Sequence, residues 1–153
     1  MPRDYLDAIR SRVVVFDGGM GATLEQFDLS LEDDYRLPGR CHEALVLNRP
    51  DVIAGVHESM VAAGAEVVET DTFQASRLKL EEWGLAEHTL EINRKAAEIA
   101  RKAVGEDRFV AGSIGPTGFL PPPTTRRSGT SRSAASSRSS PSRRPGCSRA
   151  AST

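Results

Sequence analysis

The chain is poor in cysteine and has no long apolar run. Only Cys41 and Cys147 are present among its 153 residues, so it has no disulfide framework and fits a reducing compartment. No stretch of 18 apolar residues occurs, and the N-terminal sequence MPRDYLDAIRSR lacks the apolar core of a signal peptide. We therefore expect a cytoplasmic protein with no membrane partner.

Acidic residues are missing from the C-terminal part of the chain. Residues 121–153 contain seven arginines but no lysine, aspartate or glutamate, whereas residues 1–120 contain 13 basic and 21 acidic residues. The two segments carry formal charges of +7 and −8, which the whole-chain charge of −1 conceals. We predict one folded domain over residues 1–120 and a disordered Arg/Ser-rich tail over residues 121–153, because the tail has almost nothing apolar to bury.

The residue alphabet of the tail has a genetic explanation. The tail consists of Pro, Thr, Arg, Ser, Gly, Ala and Cys, all encoded by codons with G or C at the middle position. Reading a GC-rich gene out of frame produces this alphabet, so we interpret residues 121–153 as an out-of-frame translation. The alternative is a genuine basic tail that contacts phosphates, although no aromatic residue is present to stack on bases. We expect no specific nucleic-acid partner.

Predicted strands and helices alternate in the first 120 residues. Apolar runs rich in valine and phenylalanine predict strands over residues 12–17, 65–73 and 108–115. Apolar residues at helical spacing predict helices over residues 49–65 and 90–105. The order βαβαβ predicts an α/β fold with a parallel sheet. The first strand is apolar on both faces, as expected when helices cover a sheet on each side.

The ends of these predicted strands carry glycine and polar residues. Asp17 ends the first strand, and Gly18 and Gly19 allow a sharp turn that leaves backbone N–H groups open to a ligand. Residues 71–73 and Gly115 end the other two predicted strands. Ligands of parallel sheets bind at such ends, and a carboxylate beside open amides suits a zwitterionic amino acid. Asp17 would bind the ammonium group, and the amides would bind the carboxylate.

Each of these signals also has a structural interpretation. Asp-Gly-Gly is a common turn sequence, and an acid such as Asp71 can simply cap the next helical turn. The pair Cys41–His42 suggests a metal site, but adjacent side chains rarely point the same way and no second pair exists, so we expect no metal there. His57 is expected to be a structural or solvated residue of its helix.

Three strings, in this order and spacing, resemble one known family. They are VVVFDGGMGATLEQ, RPDVIAGVHESMVAAGAEVVETDTFQASRLKLEEWGL and RFVAGSIGPTG. Over residues 10–120 the chain resembles the start of the homocysteine S-methyltransferase family, most of all the homocysteine-binding module of cobalamin-dependent members of the methionine synthase type. The family fold is a (β/α)8 TIM barrel. The resemblance therefore implies that the chain contains the first three βα units of an incomplete barrel.

The resemblance also implies a substrate site and a reaction. The homocysteine-binding residues that it assigns to this chain are Asp17, Gly18, Gly19, Met20, Thr70, Asp71, Thr72, Phe73 and Gly115. In the family, zinc held by three cysteine thiolates lowers the pKa of the homocysteine thiol, whose thiolate accepts a methyl group to form methionine. Neither Cys41 nor Cys147 lies in a matching motif, so no catalytic residue and no metal ligand is assigned.

The resulting prediction is a methyltransferase fragment. Zinc, and cobalamin through other domains, are the cofactors that the resemblance implies for a full-length protein, while the methyl donor and the oligomeric state stay open. Because an incomplete barrel exposes a sheet edge and apolar surface, we expect a poorly stable, aggregation-prone chain without methyltransferase activity of its own. The alternatives are a small amino-acid-binding α/β module without catalysis and a nucleic-acid-associated protein that uses the tail.

Overall fold

Residues 4–118, the part of the chain that the computed structural model describes, contain six α-helices and a two-stranded parallel sheet. The α-helices are α1 Tyr5–Ser11, α2 Met20–Leu24, α3 His42–Asn48, α4 Pro50–Ala62, α5 Arg77–Glu81 and α6 Thr89–Val104. A π-helical turn spans Leu31–Tyr35 and a 3-10 turn spans Ala86–His88. The strands are β1 Val67–Glu69 and β2 Phe109–Ala111. The predicted tail, residues 121–153, lies outside the described residues.

The sheet confirms the α/β class and the parallel direction of the second and third predicted strands. Val67 of β1 lies opposite Phe109 of β2, and Glu69 lies opposite Ala111. Each strand is three residues long, which is shorter than predicted, because the chain turns into polar loop residues soon after each apolar pair. No helix within residues 4–118 is long and apolar enough to cross a membrane.

The first predicted strand forms only one bridge, between Phe16 and Val67. The backbone N–H groups of Glu66 and Val67 both donate to the carbonyl oxygen of Val15, at 2.8 and 3.1 Å, so the regular ladder does not extend toward the N-terminus. Val13 is 85% exposed and Val15 is 51% exposed. The expectation that helices cover both faces of this strand is therefore wrong for the described part of the chain.

The two long predicted helices are confirmed as α4 and α6. Pro50 occupies the first turn of α4, where its missing N–H costs no hydrogen bond. Beyond the last turn, Gly64 has a φ of 110°, a left-handed value that favours glycine. The sequence pattern did not reveal α2 and α3, because these helices are too short to show a full apolar repeat.

The two long helices pack together and cover one face of β1. Val68 of β1 is fully buried and forms a cluster with Ala100 and Val104 of α6. His57 of α4 is fully buried, and neither ring nitrogen has a hydrogen-bond partner. Burial lowers the pKa of His57 to about 4, so the neutral ring acts as a core residue, in agreement with the structural interpretation.

Several large apolar side chains are exposed within the described residues. Ile114, beyond β2, is 93% exposed, and Leu90 at the start of α6 is 85% exposed. Together with Val13, they place apolar surface in water on separate parts of the chain. Low stability and aggregation remain predictions that this exposure supports.

Candidate functional site

The carboxyl ends of both strands open onto a cavity of about 340 Å³. The predicted site residues that line it are Asp17, Gly18, Gly19, Met20, Thr70, Asp71 and Phe73. Further lining residues, which the sequence did not single out for a ligand, are Gly21, Arg40, Cys41, His42, Glu43, Glu69, Gln74 and Ser113. The structure thus brings seven of the nine predicted residues together and leaves Thr72 and Gly115 behind the cavity wall.

Asp17 reaches the cavity because the bridge at Phe16 holds the preceding backbone beside β1. The Asp17 N–H donates to the carbonyl oxygen of Val67 at 3.0 Å. One carboxylate oxygen, Oδ2, accepts the backbone N–H of Glu69 at 2.9 Å. Burial raises the pKa of Asp17, and the hydrogen bond from Glu69 opposes that shift. The side chain is therefore held in one orientation at the end of the sheet.

Gly18 and Gly19 lead from Asp17 into helix α2. Neither glycine has a positive φ, and a Cβ added to Gly18 would meet the Met60 side chain at an ordinary 3.5 Å. The sharp turn expected from these glycines is therefore not a conformation that requires glycine. Gly19 lies at the N-cap of α2 without a side-chain cap, which leaves the first N–H groups of α2 at the cavity.

A closed ring of hydrogen bonds joins the end of β1 to the loop after β2. The Ser113 N–H donates to Oγ1 of Thr70 at 3.2 Å, and Oγ1 of Thr72 donates to the carbonyl oxygen of Ser113 at 2.7 Å. The two threonine hydroxyl groups lie 2.7 Å apart. Because each hydroxyl has one proton, Thr70 must be the donor to Thr72. Thr72 therefore positions Ser113 in the cavity wall and does not line the cavity itself.

We expect Thr72→Val to lower the free energy of unfolding by about 1–3 kcal/mol, because it removes the acceptor of the buried Thr70 hydroxyl proton and the donor to the Ser113 carbonyl oxygen. Urea denaturation of the purified chain measures the change. Thr72→Ser keeps the hydroxyl group and is the matched control, with a smaller expected loss. If Thr72→Val is as stable as the parent chain, this would contradict the claim that the ring of hydrogen bonds stabilises the fold.

Gly115 fixes the same loop at a second point. Its N–H donates to the carbonyl oxygen of Phe73 at 2.9 Å. A Cβ added to Gly115 would lie 2.2 Å from that oxygen, far inside van der Waals contact. Glycine is required at position 115 because the backbones of Gly115 and Phe73 approach closely, and not because residue 115 contacts the cavity.

Asp71 and Glu43 form a buried acidic pair at the inner wall. Asp71 is 5% exposed, and its Oδ2 has no hydrogen-bond partner. Glu43 of α3 is 4% exposed, and its oxygens accept the Gln74 N–H at 2.6 Å and the Cys41 thiol at 3.5 Å. Burial, reinforced by the charge of Glu43, raises the pKa of Asp71 to about 8. No hydrogen bond of the described residues supports the alternative that Asp71 caps a helical turn.

Cys41 and His42 lie beside this pair at the start of α3. Burial, followed by the charge of Glu43, raises the pKa of Cys41 to about 12, so this residue is a thiol and not the thiolate that zinc prefers. The Nε2 atom of His42 lies 3.7 Å from a carboxylate oxygen of Glu25. Within residues 4–118 no group of three or more His, Cys, Asp or Glu side chains could hold a metal ion. The zinc site implied by resemblance does not fit these residues.

Glu43, Glu69 and Ser113 are polar cavity residues that the sequence reasoning missed, as are Arg40 and Gln74. Glu43 lies on α3, a helix that the pattern did not predict. Glu69 and Ser113 lie within predicted strands, where alternation alone does not show which side chains turn toward a ligand. Glu69 directly precedes Thr70 and Ser113 lies two residues before Gly115, and this proximity is the signal that could have found these two residues.

Comparison with known proteins decides the family. The family model for homocysteine S-methyltransferase matches residues 14–138, which is most of the chain and passes the change in composition after Leu120. The chain belongs to the homocysteine S-methyltransferase family. The resemblance identified from the three sequence strings is thereby confirmed.

Curated relatives of the chain are methionine synthases. The enzyme of Mycobacterium tuberculosis is 39% identical over 77% of this chain, and that of Mycobacterium leprae is 36% identical over the same share. In each case the match covers 10% of the relative. The chain therefore spans about a tenth of the length of the curated relatives that it matches.

Solved structures of the homocysteine methyltransferase MmuM from Escherichia coli share the architecture. The oxidized form is 28% identical and has a TM-score of 0.61, covering 76% of this chain and 42% of that chain. The metallated form has a TM-score of 0.55 and covers 71% of this chain and 40% of that chain. The α/β arrangement of the described residues thus resembles less than half of a homocysteine methyltransferase.

Proposed function

We propose that the chain provides the homocysteine-binding part of a homocysteine S-methyltransferase of the methionine synthase type, with the fold of the first three βα units of a TIM barrel. One observation carries this proposal: in a member of this family, seven residues predicted to bind homocysteine line one cavity at the ends of the strands. The proposed substrate is homocysteine, and the proposed product of the complete reaction is methionine.

The cavity offers complementary groups for both charged ends of an amino acid. Asp17 provides a carboxylate for the ammonium group, and its orientation is held by the Glu69 amide. The uncapped start of α2, at Met20, provides N–H donors for the carboxylate of the ligand. Phe73 is 54% exposed and provides an apolar surface for the carbon chain. Polar groups at the strand ends thereby orient the amino-acid part of the ligand.

In this proposal, the described residues bind and orient homocysteine. They include neither a thiolate nor a metal centre. Cys41, the cysteine at the cavity, is a buried thiol that donates to Glu43. Zinc and cobalamin are cofactors that the family resemblance implies for a full-length protein. We propose that the purified 153-residue chain binds homocysteine without transferring a methyl group, which an assay of methionine formation with added zinc and methyl donor checks.

We expect Asp17→Asn to weaken homocysteine binding about 10- to 100-fold, because a hydrogen bond to a charged group contributes roughly 1.5–3 kcal/mol. Isothermal titration calorimetry of the chain with reduced L-homocysteine measures the affinity. Asp107→Asn is the matched control, since Asp107 is exposed in the turn before β2 and outside the cavity. Parental affinity in the Asp17 variant would contradict the assignment of the ammonium site.

A further inference from the structure

The cavity has more acidic than basic residues. Its acidic lining residues are Asp17, Glu43, Glu69 and Asp71. The strongly basic residue of the lining is Arg40, whose guanidinium pairs with the carboxylate of Glu25. His42 also lies near Glu25, with Nε2 3.7 Å from the carboxylate. Because both basic residues face Glu25, the acids of the cavity are not neutralised by the residues around them, and the cavity favours a cationic group.

Three of the four acids have protein hydrogen-bond donors. Asp17 accepts the Glu69 N–H, Glu43 accepts the Gln74 N–H, and Glu69 Oε2 lies 3.2 Å from the hydroxyl oxygen of Ser113. Asp71 differs, because this residue lines the cavity and its Oδ2 is buried without a hydrogen-bond partner. A buried carboxyl group in this position must either carry a proton or receive a donor from a ligand.

We propose that Asp71 is a specificity residue that accepts the ligand ammonium group in place of its own proton, so that amino-acid binding releases a proton. An ammonium group has three N–H donors, which is enough for both Asp71 and Asp17 in the cavity that they line together. The bond Asp71 O–H breaks, its proton leaves to solvent, and an N–H···O⁻ hydrogen bond forms with no change in the ligand. This inference rests on the proposed function, since it names how the same cavity recognises the ammonium group.

The groups that face Asp71 define what else can titrate in this cavity. They are Asp17, Tyr35, Arg40, Cys41, His42, Glu43 and Glu69. Burial raises the pKa of Cys41 to about 12 and also raises the pKa of Tyr35, so both groups keep their protons near neutral pH. Burial also raises the pKa of Asp71, to about 8, whereas an exposed aspartate ionises near pH 4. Asp71 therefore carries a proton in the pH range in which homocysteine binding is measured.

The affinity of the 153-residue chain for reduced L-homocysteine, measured by calorimetry from pH 5.5 to 7.5, tests the inference. The thiol and ammonium groups of the free ligand keep their protons in this range. Release of one proton predicts that affinity rises about tenfold per pH unit. At pH 7 the binding enthalpy is also expected to differ between phosphate and Tris buffers, because the buffer takes up the released proton.

Variants distinguish the contribution of Asp71 to the pH dependence of binding from that of the other titratable groups. Asp71→Asn is expected to remove the pH dependence and the buffer dependence, whereas Glu58→Gln, an exposed substitution on α4, keeps both. Asp17→Asn is expected to weaken binding at every pH while keeping the dependence on pH. If Asp71→Asn does not fold, the carboxyl carbon of Asp71 in ¹³C-aspartate-labelled chain reports the same titration, and its signal is expected to lose pH dependence when homocysteine is bound.

The outcomes distinguish the inference from the proposed function. Binding whose affinity is flat from pH 5.5 to 7.5, or whose pH dependence survives in Asp71→Asn, overturns the role of Asp71 and leaves homocysteine binding in place. Absence of saturable binding at every pH overturns both. A tenfold rise per pH unit that disappears in Asp71→Asn supports both.

Discussion

Gly115→Ala is expected to lower the free energy of unfolding by about 3 kcal/mol and to weaken homocysteine binding. The added Cβ would lie 2.2 Å from the carbonyl oxygen of Phe73, and neither atom can rotate away because the backbone fixes both positions. The loop after β2 must therefore move, which breaks the 2.9 Å hydrogen bond from Gly115 to Phe73. Because Ser113 belongs to this loop and lines the cavity, the displacement reaches the site.

Urea denaturation and calorimetry with homocysteine measure the two effects of Gly115→Ala. Gly112→Ala is the matched control, because a Cβ at Gly112 meets nothing within 4 Å and its φ is not positive. We expect this control to keep stability and binding close to those of the parent chain. Equal behaviour of the two alanine variants would show that the backbone contact at Gly115 does not hold the loop.

Asp71→Asn is expected to stabilise the chain strongly above neutral pH and only slightly near pH 4. The pKa of Asp71 is raised from its ordinary value to about 8 by burial, reinforced by Glu43. The folded state therefore binds this proton more tightly than the unfolded state, and the free energy of unfolding of the parent chain falls as pH rises from about 4 to 8. Asparagine has no proton to lose, so its advantage reaches about 3–5 kcal/mol near pH 8.

Urea denaturation at pH 4.5, 6 and 8 measures the difference between Asp71→Asn and the parent chain. Asp107→Asn changes the same functional group at an exposed position, and its difference from the parent chain is expected to stay small at every pH. A difference for Asp71→Asn that is the same at all three pH values would mean that Asp71 is ionised alike in the folded and unfolded states.

The long helices and the parallel direction of the sheet could be predicted because their signals are local. Proline at the start of α4 and the apolar repeat of α6 act within a few turns of the chain. The extent of the first strand could not be predicted in this way. Its pairing depends on which donors reach the carbonyl oxygen of Val15, and the N–H groups of two consecutive residues, Glu66 and Val67, both donate to it.

The sequence predicted which residues lie at the cavity better than it predicted what each of them does there. Acids and glycines at strand ends identified Asp17 and Asp71, because strand ends converge at one edge of a parallel sheet. Sequence reasoning treated Thr72 and Gly115 as ligand-binding, whereas the structure places both behind the cavity, where they hold Ser113 and the loop around it. Such roles depend on contacts between segments some 40 residues apart, which no local pattern encodes.

The most direct test of the central claim is a map of backbone amide chemical shifts in the ¹⁵N-labelled chain as reduced L-homocysteine is added. We predict saturable shifts concentrated at the end of the first segment and beyond both strands, at Asp17–Met20, Thr70–Phe73 and Ser113, with little change along α6. Saturable shifts elsewhere, or none at millimolar homocysteine while the amides of residues 4–118 are well dispersed, would contradict a homocysteine-binding cavity at the strand ends.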